Sequence, residues 1–525
     1  MKYLVNAAEM RRADKFTTEG IGIPAMILME RAALAAQASI EKYCRRLEGG
    51  PEPQGRFGSE GWFGNDGRPG SKGRPGSERR TVLVMAGTGN NGGDGLALAR
   101  LLSGADFRVE VWIVGDEARA SELWTRQREI LEHYPVIFCT KPERTEYTIL
   151  VDALFGIGLS RDITGVRQEA VELFNGLQGW KIALDIPSGV NSDTGRIMGR
   201  SCVTAEETVA FAYCKRGEVL YPGCLAAGKV TVADIGIPEA AFGEKMPDMY
   251  ALDEEPEALL PKRCPWGNKG TFGKVLLAAG SPGMAGAAVL AAKAAYRAGA
   301  GMVRVITPVE NRSVIQTAVP EALVGTREEF ASYFGWADVI AIGPGLGKDR
   351  QAGSMLAQAL AESSLPLLID GDGLNLAAES LKIRRMLAEQ GSTGRSIVLT
   401  PHVGELARLL GRTVPEIQER LADYGRDLAM ELQTVVAAKD ARTFICKTGE
   451  PVCVNLSGSS GLATAGSGDV LAGIVSGLMA QGMDACRAAC VGAYVHGCMG
   501  DKAARQHGEH GCMAGDIVYG NERIR

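Results

Sequence analysis

The chain carries 12 cysteines but no CxxC pair and no cysteine–histidine cluster at zinc spacing, and it has only 5 histidines. This excludes a zinc ribbon and predicts reduced thiols in the cores of a cytoplasmic protein. Basic charge is not in excess: 57 Lys+Arg stand against 62 Asp+Glu, a net charge of -5. No nucleic-acid footprint is expected from that balance. No apolar run reaches the 18 or so residues of a membrane span, so no membrane partner is expected. The opening residues MKYLVNAAEMRRADKF lack a signal-peptide core, which again predicts the cytoplasm. What is present is an ordinary globular composition, 46% hydrophobic and 23% charged. At 525 residues the chain exceeds what one core usually holds.

Two α/β halves follow from the alternation of short β-rich runs with helical stretches. In the first, the runs are TVLVMA (81–86), VEVWIV (109–114), TILVDA (148–153), KIALDI (181–186), ETVAFA (207–212) and KVTVAD (229–234). In the second they are KVLLAA (274–279), MVRVIT (302–307), VIAIG (339–343), LLID (367–370), IVLT (397–400) and TVVAA (434–438). Residues 241–265 show no clear periodicity, and the boundary is placed near Lys245, giving domains 1–245 and 246–525. The halves are not repeats of each other. Residues 49–79, dominated by Gly, Pro and charge, read as a disordered surface insertion, because such a composition buries too little apolar area to offset its ordering entropy.

The most informative motif is AGSGDVLAG (465–473), which sets Gly466, Ser467, Gly468 and Asp469 before an apolar helix. Glycines at a helix start let free N–H groups approach an anion, and the helix dipole favours negative charge there. A carboxylate in that place would repel a bound phosphate. It makes sense as a base aimed at a hydroxyl that a phosphoryl group is about to join. The alternative is Asp469 as a helix cap. The first half has its own glycine-rich turn, GTGNNGGDG (87–95), between a strand and a helix. It lacks the ending of a Walker A loop and the spacing of a dinucleotide fingerprint. Asp152, Asp185 and Ser188 stand at neighbouring strand ends, the carboxyl edge where open α/β sheets bind ligands.

In that order, GNNGGDG, VDALFGIGL and DIPSGV resemble the YjeF N-terminal domain, an epimerase of hydrated NAD(P)H. The runs NKGTFGKVLLAAGS, MAGAAVLAAKAAYRAGAG, IGPGLG, IDGDGLN, LTPHVGEL and ATAGSGDVLAG resemble the ADP/ATP-dependent NAD(P)H-hydrate dehydratases. Together they resemble the bifunctional NAD(P)H-hydrate repair enzymes over nearly the whole chain apart from 49–79. Thr88, Gly371, Val403 and Asp440 depart from that family's usual wording.

The resemblance implies a Rossmann-like three-layer α/β sandwich followed by a ribokinase-like α/β domain. It implies epimerisation of the R and S hydrates, then nucleotide-dependent dehydration of the S form to NAD(P)H with release of AMP (or ADP) and phosphate. Asp469 and Asp152 are the implied catalytic residues. The epimerase substrate would meet Asn90, Asn91, Gly92, Gly93 and Asp94, the loop Gly156, Ile157, Gly158, Leu159, Ser160, Arg161 and Asp162, and Asp185. The dehydratase substrate would meet Ala287, Gly345, Gly347, His402 and Asp469. The nucleotide would lie against Lys439, Asp440, Ala441, Arg442, Thr443 and Gly468. A potassium ion is implied at Asn91, Asp152 and Ser188, with Mg2+ accompanying ADP or ATP, in a homo-oligomer. The competing readings are a ribokinase-family thiazole or pyrimidine kinase, and a YjeF N-terminal half that only binds.

Overall fold

A computed structural model describes residues 2–48, 80–105 and 107–520. The expected insertion at 49–79 lies outside the described residues. The chain divides into two compact units, Tyr3–Pro247 and, with the first two residues, Asp248–Arg525.

In the first unit a seven-stranded sheet runs in the order Ile137–Cys139, Arg108–Ile113, Thr81–Ala86, Glu146–Ala153, Gln178–Leu184, Glu207–Phe211, Lys229–Ala233. Every neighbouring pair is parallel. Parallel strands are buried on both faces, which is why these runs are continuously apolar. Helices Ala25–Leu47 and Asn90–Gly104 cover one face with Leu96, Leu98 and Ile40, and Val166–Gly176 covers the other with Phe174. The chain leaves Thr81–Ala86 toward one edge and returns beside it as Glu146–Ala153. Their carboxyl ends therefore form a topological switch point, the crevice where such sheets take ligands.

The second unit repeats the device. Its strands run Leu323–Gly325, Met302–Ile306, Lys274–Ala278, Val339–Ile342, Leu367–Ile369, Ile397–Leu399 and Val435–Ala438, all parallel. An antiparallel pair, Thr443–Cys446 and Val452–Asn455, extends the sheet, and Met249–Ala251 adds in parallel beyond it. The stretch 241–265, read as aperiodic, thus contributes a strand and a short helix, Pro256–Leu259. Helix Ser467–Ala480 lies tightly on Ala285–Arg297: a Cβ on Gly473 would come within 2.2 Å of the Ala291 carbonyl oxygen. The close approach fixes where the front of that helix points.

The edge strands Ile137–Cys139 and Leu323–Gly325 were not foreseen, because they are only partly buried and carry no continuous apolar run; Thr443–Cys446 was not foreseen either. The 12 cysteines are unpaired and none is exposed. Among the described residues, no helix is long and apolar enough to cross a membrane.

Candidate active sites in the two halves

In the second unit three consecutive parallel strands end on polar residues: Leu367–Ile369 on Asp370, Ile397–Leu399 on Thr400, Val435–Ala438 on Lys439. The three side chains meet. Asp370 Oδ1 accepts from Thr400 Oγ1 at 2.5 Å and from Lys439 Nζ at 3.0 Å. The Lys439 ammonium reaches the front of helix Ser467–Ala480, where a Cβ on Gly468 would lie 3.4 Å from it. Gly466 turns the chain into that helix at φ 91, a left-handed conformation suited to glycine. Ser467, Gly468 and Asp469 are therefore the first helical turn and not a loop ahead of it. The first N–H groups of a helix have no partner within it, so this turn presents donors to an anion beside a lysine.

Asp469 stands among these groups. Burial raises its pKa to about 7; Asp370 and Asp372 add to the rise and Lys439 opposes it. Asp372 accepts from the Gly347 backbone N–H at 2.8 Å. A Cβ on Gly345 would come within 2.9 Å of the Ala287 Cβ, so Ala287, Gly345 and Gly347 belong to one neighbourhood. His402 caps helix Val403–Leu410, its Nδ1 accepting from Gly404 N–H at 3.0 Å. Burial, then Lys439 and Arg408, push its pKa down, and its ring stays half exposed. Glu405, which closes the capping box on the His402 N–H, is raised to about 7 by burial against the opposing Lys439. In the turn 439–443, Lys439 points inward while Arg442 donates to the Leu456 carbonyl at 3.0 Å. Asp440, where a glycine is frequent, is not among the described non-glycine residues with left-handed φ, and Thr443 opens the strand Thr443–Cys446.

In the first unit the switch point opens into a cavity of about 1100 Å³. Its wall includes Asn90, Asn91, Asp94, Asp185 and the whole run 156–162. Helix Asn90–Gly104 begins inside the motif read as a loop. Gly92 and Gly93 do not line the cavity; they let the helix settle. A Cβ on Gly92 would sit 1.8 Å from the Gly87 carbonyl oxygen, and one on Gly93 2.8 Å from the Met29 methyl. Asp185, at φ 68, is ion-paired with the buried Lys215, which also donates to the Phe211 carbonyl at 3.0 Å. Burial lifts Asp94 well above the ordinary carboxyl range; Asp185 and Asp14 add to this and Lys215 opposes it.

Asp152 and Ser188 are not on the cavity wall. Side chains alternate along a strand: Val151 and Ala153 pack with the glycine-started helix, while Asp152 shares the face of Leu150. The Asp152 carboxylate accepts from Ser188 Oγ at 2.6 Å, Ser188 N–H at 2.7 Å and Leu154 N–H at 3.1 Å. Burial raises its pKa to about 6 against those hydrogen bonds. The buried amide of Asn91 has no hydrogen-bond partner on either Oδ1 or Nδ2. The Asn91 Oδ1 is thus an unengaged oxygen donor. Among the described residues no group of three His, Cys, Asp or Glu could hold a metal. Asn91, Asp152 and Ser188 offer oxygen donors, the kind that suits a hard cation, with no thiolate or imidazole among them.

Sequence reasoning passed over Asp370, Glu405, Asp14 and Lys215. The first two stood inside quoted runs, IDGDGLN and LTPHVGEL. Nothing in YCKRGE marks Lys215 as the buried partner of a residue thirty positions earlier.

Residues 275–519 match the family described as NAD(P)H-hydrate dehydratase, and 25–217 the YjeF-related protein N-terminus. The bifunctional NAD(P)H-hydrate repair enzyme of Moorella thermoacetica is 35% identical, covering 98% of this chain and 95% of its own. That of Thermofilum pendens is 32% identical over 97% and 93%. Among solved structures, the ADP/ATP-dependent NAD(P)H-hydrate dehydratase of Bacillus subtilis, co-crystallised with ATP and Mg2+, is 29% identical. It covers 51% of this chain and 94% of that one, at a TM-score of 0.44. Both halves and their order are accounted for in single relatives along almost their whole length, and the chain belongs to the bifunctional NAD(P)H-hydrate repair enzymes.

Proposed function

We propose that the two units carry out successive steps of one repair: the first interconverts the R and S hydrates of NAD(P)H, and the second removes water from the S form at the expense of ADP or ATP. The observation that carries this is Asp469, a carboxyl raised to about 7, in the first turn of a helix whose N–H groups and Lys439 await an anion.

The hydrate bears a hydroxyl on the carbon next to the ring nitrogen. Hydroxide is a poor leaving group at neutral pH, whereas phosphate is a good one. Asp469 takes the hydroxyl proton as that oxygen attacks the terminal phosphoryl group of the nucleotide. The N–H groups of Gly468 and Asp469, with Lys439, hold the charge spread over the transferring oxygens. The ring nitrogen then expels phosphate, and loss of a ring proton restores NAD(P)H. A base is efficient when its pKa lies near the working pH, which is what burial among Asp370 and Asp372 provides for Asp469. Mg2+ enters with the nucleotide as part of that substrate, and 439–443 is the nucleotide turn. His402, neutral and half exposed, offers its ring to the nicotinamide.

In the first unit Asn91, Asp152 and Ser188 would hold potassium, which when bound supplies fixed positive charge under the cavity. The orphaned Asn91 oxygen supports that assignment. The protein works in the cytoplasm on these small molecules, as a homo-oligomer. A thiazole or pyrimidine kinase would share the anion turn but release no free phosphate. The test is incubation of the purified chain with mixed hydrated NADH epimers and ADP or ATP. Recovery of NADH absorbance with one phosphate released per NADH supports the reading. A stable phosphorylated product without NADH would replace it with the kinase.

A further inference from the structure

The residue expected to move protons in the first unit, Asp152, is turned away from the cavity and accepts three hydrogen bonds there. Four carboxylates do line the cavity, Asp14, Asp94, Asp162 and Asp185, and Asp162 stands on an exposed position. Their partners separate them. Asp185 is tied to the buried Lys215, and Lys215 has no other carboxylate within salt-bridge range among the described residues. Asp14 sits on an exposed position of helix Ala7–Lys15. Asp94 lies deep in the wall, on the helix that starts the cavity, and no described residue donates a hydrogen bond or an ion pair to its carboxyl.

Resting on the reading of this unit as the epimerase, we propose that Asp94 is its catalytic proton-transfer residue, touching the substrate hydroxyl, while Asp185 beside it is engaged by Lys215. When two carboxyls share a site and one is neutralised by a cation, the other takes the proton; separated environments of this kind mark acid and base. The groups around Asp94 agree in sign. Asp14 on one helix and Asp185 at a strand end add negative charge. Lys215 opposes but is spent on Asp185. Arg11 lines the cavity with its guanidinium on the Ile157 carbonyl at 3.1 Å, and the remaining charges, over 161–167, lie on the exposed run. The helix dipole at Asn90 favours the anion, and burial with two carboxylates opposes it.

The step balances without a co-reactant. The Asp94 carboxyl gives its proton to the hydroxyl oxygen, the C–O bond breaks, and the ring nitrogen's lone pair forms a C=N bond as water leaves. Water re-adding on the opposite face returns the proton to Asp94 and regenerates the neutral hydrate as the other epimer.

The test uses the purified full-length chain with an unequal R/S mixture of hydrated NADPH, no nucleotide, and NMR of the proton on the hydroxyl-bearing carbon. Wild type no faster than buffer overturns the epimerase reading and the proposal with it. Given an active wild type, Asp94→Asn is expected to lower kcat by about 10²–10⁴-fold with KM within threefold. Wild-type kcat is expected to fall as pH rises through the Asp94 pKa, and that limb should vanish in Asp94→Asn. Asp94→Glu, which retains a carboxyl, should recover part of kcat and the limb. Equal kcat in Asp94→Asn, a loss confined to KM, or an Asp94→Glu chain no better than Asp94→Asn overturns the assignment while leaving the epimerase reading intact.

Discussion

Both halves use one local device and tune it to different degrees. Each sets an aspartate in the opening turns of a glycine-started helix at the switch point of a parallel sheet: Asp94 on Asn90–Gly104, Asp469 on Ser467–Ala480. Each is lifted first by burial. The difference lies in the lysine. Lys215 is fully buried and bound to Asp185, so Asp94 is left among carboxylates and rises well above its ordinary range. Lys439 is shared between Asp370 and the helix front, close enough to Gly468 to hold Asp469 to about 7. On the roles proposed above, one half keeps a proton to give, and the other keeps a base that is half available at neutral pH. Acid or base character here is a property of the neighbours and not of the glycine motif.

The sharpest way to break this comparison is Asp469→Asn. Nucleotide-dependent NADH recovery is expected to fall by about 10²–10⁴-fold, with R/S interconversion unchanged by NMR. A dehydration rate near wild type would remove Asp469 from the chemistry.

Lys439→Met should come next. It leaves Asp370 buried with Thr400 as its remaining partner, and breaking a buried pair costs roughly 3–5 kcal/mol. Thermal unfolding is expected to show a lowered transition for the unit Asp248–Arg525 alone, together with lost nucleotide binding.

The pH profiles should run in opposite senses. Asp469 acts deprotonated, so dehydration is expected to drop as pH falls through about 7, approaching tenfold per unit below it. Epimerisation, needing protonated Asp94, should weaken toward high pH. Parallel profiles would defeat the contrast.

Ser467→Ala sharpens it at the small end. Ser467 Oγ meets the buried His496 Nε2 at 3.2 Å, and burial keeps His496 neutral, at about 4. Losing one such hydrogen bond is worth about 1 kcal/mol of stability, so a slightly lowered thermal unfolding transition is expected, with epimerisation untouched.

The architecture could be read from the chain because its strands are buried on both faces and so announce themselves as apolar runs. Thr81–Ala86 and Lys229–Ala233 lie where TVLVMA and KVTVAD foretold them. The partly buried edge strands carry no continuous apolar run and stayed hidden. Two glycine motifs were visible as anion turns, yet both proved to be helix rather than loop, since a helix start and a loop share the same residues. Within the sites, chemistry-bearing residues at strand ends were legible when a motif surrounded them, as with Asp185 and Asp469. Asp152 was legible as a residue but not as a direction. Its position in Glu146–Ala153 decides that it faces away from the cavity.

The sequence by itself determined the two-unit α/β plan, the order of motifs and the family, because apolar periodicity and local glycine patterns are properties of neighbouring residues. Only the tertiary structure decided which charges meet. Lys215 finds Asp185 and Lys439 finds Asp370 across 30 and 69 positions of chain. A pKa depends on burial and on charges a few ångströms away in space, which no local pattern encodes.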